Sequence, residues 1–100
     1  MPTLTVGIPH RLTQEEATER LKERFDSAKQ EYGEKVDGLE GEWDGHAMSF
    51  RFTTFGVKIA GTITSESSEV KVATKLPLTA MVFRGTIEQR IRDELGKVLA

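Results

Sequence analysis

His10 and His46 are the only histidines in the chain and there is no cysteine, so the side chains that most often do acid–base, thiolate or zinc chemistry are nearly missing. Neither histidine has a partner at the spacing that a metal or acid–base site needs, and each is expected to be exposed or packed at an edge. Asp37, Glu40, Glu42 and Asp44 are of the right type for calcium but lack the D-x-[DN]-x-[DN]-G ligand order, and alternation along a strand accounts for them. Ser65, Ser67 and Ser68 fall in a polar turn without the glycine-flanked pattern of a nucleophile. Arg51, Lys58, Lys71 and Lys75 share a strand face, as a stripe over phosphates would. That face has no aromatic side chains for base stacking, which disfavours nucleic acid. The expectation is a protein that is not an enzyme and takes neither cofactor nor metal.

The elements that would position these residues belong to one α+β domain spanning residues 1–100. A chain of 100 residues is long enough for one core, burying roughly 65% of the surface its unfolded form exposes. With 37% hydrophobic residues spread along its length it has the material for that core, which argues against disorder. Its 14 basic and 16 acidic side chains leave a formal charge of -2, too little to draw it generally to nucleic acid or an anionic bilayer. There is neither a signal-like start nor an apolar run long enough to span a membrane, so a cytoplasmic location is expected.

Leu4, Val6 and Ile8 alternate with Thr3, Thr5 and Gly7, the period of a strand with one buried face. Thr13 and Glu16 make a capping box, Leu12 and Ala17 a hydrophobic staple, and Ala17, Leu21, Phe25, Ala28 and Tyr32 one helical stripe closed by Gly33. A favoured Asp44-Gly45 turn then sets Trp43 opposite His46, Gly41 opposite Met48 and Leu39 opposite Phe50. A Thr53–Gly56 loop pairs Phe52 with Val57. A Ser65–Ser68 loop pairs Ile63 with Val70 and Val57 with Leu76. Phe83, Ile87, Ile91, Leu95 and Val98 mark a last helix. The result is β-α-β-β-β-β-α, a five-stranded antiparallel sheet with two helices packed on one face.

Two apolar features remain. Gly41 and Gly61 flank Met48 on the inward face, and the missing side chains leave room that Phe25 or Phe83 would fill; left unfilled, it would be a small cavity for an apolar ligand, as in helix-grip lipid binders. In "LPLTAMVFRG", Leu78, Met81 and Val82 lie roughly 120° or more from the buried stripe and, with Phe55 at the same end of the sheet, form either an exposed apolar contact patch or a plug over the core.

The segments "PHRLTQEEA", "WDGHAMSF", "FGVKIAGTI" and "LPLTAMVFRGTIEQRI" carry a resemblance to the polyhydroxyalkanoic acid system family from about Thr3 to Leu99. These are small bacterial proteins named for genes that sit beside those for storage-polyester synthesis and granule surface proteins. The resemblance implies no catalytic residues. It implies a granule surface, or a protein on it, as the partner of the apolar patch. The alternatives are a structural homodimer and a binder of small apolar ligands.

Overall fold

A computed structural model describes residues 2–32, 37–54 and 56–100. Its elements are β1 (Thr3–Pro9), α1 (Gln14–Tyr32), β2 (Asp37–Asp44), β3 (Ala47–Thr54), β4 (Val57–Ser65), β5 (Glu69–Lys75), α2 (Leu78–Met81) and α3 (Arg84–Leu99). The strands form one antiparallel sheet in the order β1-β5-β4-β3-β2. This is the expected α+β sheet, with a third, short helix where a single terminal helix was expected.

The sheet is built in rows of side chains that point to one face. Val6, Val72, Ile63, Met48 and Trp43 stand opposite one another across all five strands. The next row is Leu4, Thr74, Gly61, Phe50 and Gly41. On the other side of the first row lie Ile8, Val70 and Ser65. Ala17 and Leu21 of α1 and Leu99 of α3 bury themselves against Val6, Ile8, Val70 and Val72, with Ile91, Leu95 and Val98 packed around them, so both long helices cover this face. Burying each such side chain stabilises the fold by roughly 1.5–3 kcal/mol.

In all three hairpins the pairing is displaced by two residues from the sequence pairing. Trp43 faces Met48, Phe52 faces Ile59, and Ile63 faces Val72. The first turn is therefore Gly45-His46 and not Asp44-Gly45. Gly45 takes φ 63° at the first loop position, where a two-residue turn matched to strand twist requires a positive angle. Moving a pairing by two keeps every side chain on its original face, which is why the apolar set still points inward. Leu39 does not reach Phe50, because Phe50 pairs with Gly41; beyond Glu40 the β2–β3 register shifts by a further residue, where Gly38 adopts φ 61°.

The capping box forms as read. Thr13 Oγ1 accepts from the Glu16 N–H (3.1 Å), and the Glu16 carboxylate accepts from the Thr13 N–H (3.4 Å). Gly33, expected to close α1, lies outside the described residues. The chain's last helical segment is broken at Val82-Phe83, ahead of Gly85, and Phe83 becomes the N-terminal flank of α3. It is 62% exposed, which removes it from the half-buried stripe formed by Ile87, Ile91, Leu95 and Val98.

Candidate functional site

The residues with reactive side chains are absorbed into structure. His10 Nδ1 accepts from the Leu12 N–H (3.1 Å), so its Nε2 carries the proton donated to the Glu66 carbonyl (3.0 Å). Thr18, buried on α1, donates to the Gln14 carbonyl (2.9 Å), which leaves its oxygen to accept from His46 Nδ1 (2.9 Å). Ser65 is not in a turn. It ends β4 fully buried, its N–H on the His46 carbonyl (2.8 Å) and its own carbonyl on the Gln14 amide (2.8 Å). Its hydroxyl has no partner, so no base is hydrogen-bonded to it as nucleophilic chemistry requires. His46, Thr18, Gln14 and Ser65 together brace the start of α1 against the β2–β3 and β4–β5 turns.

Two of the basic residues of the outer face, Arg51 and Lys71, are paired with carboxylates. Arg51 pairs with Glu40 and lies 3.9 Å from Glu42, which accounts for the middle of the acidic run and for one member of the basic stripe. Lys71 sits 3.4 Å from Glu66 and 3.6 Å from Glu69; the charge of Glu66 first, then that of Glu69, raises its ammonium above its ordinary range. Among the described residues, no three His, Asp or Glu side chains are grouped to hold a metal ion. Within the same residues, no helix is long and apolar enough to cross a membrane.

The space above the inward glycines is filled. A Cβ on Gly41 would stand 2.6 Å from Phe25 Cζ and 3.1 Å from the Met48 sulfur, so Phe25 and the buried Met48 occupy that room. Above Gly61 it is Phe50 that does so, its Cζ 2.8 Å from where a Cβ would be. Phe83 fills neither place. The region of Gly41, Met48 and Gly61 is thus packed and not a cavity, with Phe25 and Phe50 as its fillers and Phe83 elsewhere.

The apolar turn faces outward. Leu76 is buried at the end of β5, its N–H on the Pro2 carbonyl (3.0 Å), and Pro77 then turns the chain into α2. Leu78 and Val82 are each 78% exposed, Met81 is half-buried, and Phe83 joins the exposed group. Phe55, assigned to the same patch, lies outside the described residues.

A second apolar feature was not foreseen from the sequence. α3 rests on β1 and α1, and its other flank stands off the middle of the sheet. Between them runs an open groove of about 340 Å³ with an apolar wall. Phe50, Phe52, Ile59 and Ile63 form one side of it, Ile87, Ile91 and Leu95 of α3 the other, and Leu76 lies in it too. Phe50 and Phe52 stack at 6.4 Å between ring centres. The signal was present in part: Thr74 is a short side chain on the inward face, and it lines the groove beneath α3. What no pattern specifies is how far a helix stands from the sheet.

No curated protein matches the sequence. Among solved structures, TTHA0849 from Thermus thermophilus is similar over 98% of this chain and 94% of its own, at 13% identity and a TM-score of 0.39, a likeness too loose to carry argument. The family model described as "Putative polyhydroxyalkanoic acid system protein" matches residues 4–99. That span is nearly the whole sequence, and the chain belongs to the polyhydroxyalkanoic acid system protein family.

Proposed function

We propose that this protein is a non-catalytic association module that seats on the surface of polyester storage granules through α2. On this reading it works in the cytoplasm beside the granule. The observation that carries it is the exposure of Leu78 and Val82, 78% each, on a short helix whose flanks are anchored by the buried Leu76 and by α3. Apolar side chains held out from the core in one turn present a fixed surface to a hydrophobic partner. The family name supports the choice of partner.

Burying Leu78, Val82 and Phe83 would yield about 5–9 kcal/mol gross, against an association cost of about 4–15 kcal/mol. A reversible, surface-concentrated attachment fits those magnitudes. The test is sedimentation of the full chain with polyhydroxybutyrate particles. Val82→Asp should cut the bound fraction severalfold with the circular dichroism spectrum unchanged, because the side chain touches solvent and not the core. Equal sedimentation of the variant and the parent would overturn the reading.

A further inference from the structure

We infer, resting on α2 as the contact proposed above, that the surface it seats on is a hydrocarbon layer faced with anionic phospholipid headgroups. The exposed side chains of Leu78, Val82 and Phe83 are flanked by exposed cations. Lys75 ends β5 one residue before the buried Leu76, and Arg84 opens α3 directly after Phe83. Lys75 pairs with Ala60 across the β4–β5 ladder, so the same register sets Lys58 level with Pro77, where the chain turns into α2. Lys58 and Lys75 also line one hollow. Two cations thus stand where the chain enters α2, and one where it leaves.

Among the described residues, none of these three cations is paired with a carboxylate. The carboxylates that follow α2 in the chain are engaged within α3, Glu88 by Arg92 at 3.7 Å and Asp93 by the Gln89 amide at 2.8 Å. At the opposite end of the sheet, where α1 starts against the β2–β3 and β4–β5 turns, the balance is reversed. There Glu15, Glu16, Asp44, Glu66 and Glu69 outnumber Arg11 and Lys71. The net charge of -2 is therefore unevenly placed, and an anionic surface draws the α2 end towards itself and turns the other end away. Apolar side chains beside Lys and Arg are the combination that enters the boundary between headgroups and acyl chains. A neutral surface would leave the three cations without partners, and a cationic one would repel them.

The experiment is flotation of the full chain with vesicles of phosphatidylcholine alone and of equal parts phosphatidylcholine and phosphatidylglycerol. Each cation held near an anionic surface contributes about fivefold, so the mixed vesicles are expected to bind about a hundredfold tighter. Raising the salt from about 0.1 M to about 1 M should remove most of that preference. The triple substitution Lys58→Gln, Lys75→Gln and Arg84→Gln should bring both vesicles to the same affinity, with the circular dichroism spectrum unchanged because all three side chains lie in solvent. Val82→Asp should weaken both. Equal affinity of the parent for the two vesicles, or binding to neither, would overturn the anionic surface, and so would a preference that survives the triple substitution. Binding to mixed vesicles that Val82→Asp leaves intact would overturn α2 as the part that seats. Bare polyhydroxybutyrate particles separate the two readings, since the triple variant should sediment with them as the parent does. A parent that binds the bare particles but shows no preference between vesicles removes the phospholipid layer alone, and the converse removes the granule alone.

Discussion

At the scale of single residues, the middle of the sheet is organised around Phe50, whose cross-strand partners on both sides are glycines, Gly41 and Gly61. The ring lies over Gly61, while Phe25 from α1 comes down on Gly41. These two glycines differ in what a methyl group would meet. At Gly41 the neighbours are the end of the Phe25 ring and the Met48 sulfur, which can move; at Gly61 they include the Ala73 backbone carbonyl, which is fixed in the ladder. Gly61→Ala is therefore expected to lose about 1–3 kcal/mol by overpacking, and Gly41→Ala clearly less. Urea unfolding midpoints of the two variants check the order, and a Gly41→Ala midpoint as low as that of Gly61→Ala would contradict it. Phe25 over Gly41 was readable, because a helical stripe and an inward glycine both point at the same gap. Phe50 over Gly61 was not, because a side chain leaning sideways within a sheet leaves no mark on the period of its strand.

At the scale of elements, local chemistry fixed where α1 begins. Thr13 caps it through Glu16, the Ala17 N–H bonds to the Thr13 carbonyl (3.0 Å), and Leu12 packs beside the core that Ala17 enters. Thr13→Ala should cost about 1 kcal/mol, and Thr13→Ser much less, since serine keeps the acceptor. A thermal melt followed at the helix band tests this, and a Thr13→Ala variant that melts with the parent would remove the cap from the account. The strands teach a different lesson. Their inward faces were legible because parity survives a shift of two in the pairing, whereas the turn positions were not, because "DG" and "GH" both offer Gly45 to a two-residue loop. What distinguishes them is tertiary: the Gly45-His46 turn puts Trp43 opposite the buried Met48 and brings His46 to Thr18 on α1. The break between α2 and α3 was hidden for a related reason, since no proline or glycine occupies Val82-Phe83 and the helix ends there without the usual signals.

At the scale of the whole molecule, the question is whether the exposed apolar turn meets a granule or a second copy of the chain. A dimer tight enough to persist on dilution needs more than the about 5–9 kcal/mol gross that three side chains supply, because association itself costs about 4–15 kcal/mol. The usual source of the remainder is pairing of edge strands across a two-fold axis. Here both edges are blunted. On β2, Glu40 and Glu42 are turned to solvent and engaged by Arg51, so a two-fold copy would bring carboxylates against carboxylates. On β1, the guanidinium of Arg92 from α3 takes the Gly7 carbonyl (3.0 Å), removing an acceptor from that edge. α3 is fixed over the same edge, and the Arg20 side chain of α1 holds its far end through the Val98 and Ala100 carbonyls. Static light scattering over a hundredfold dilution is accordingly expected to give the mass of one chain throughout. Val82→Asp should leave that mass unchanged while lowering particle binding, because the turn is then a contact for a surface and not for a twin. A mass that falls from two chains to one on dilution, with Val82→Asp giving one chain at every concentration, would instead assign the exposed turn to a homodimer and take the granule from its role as partner.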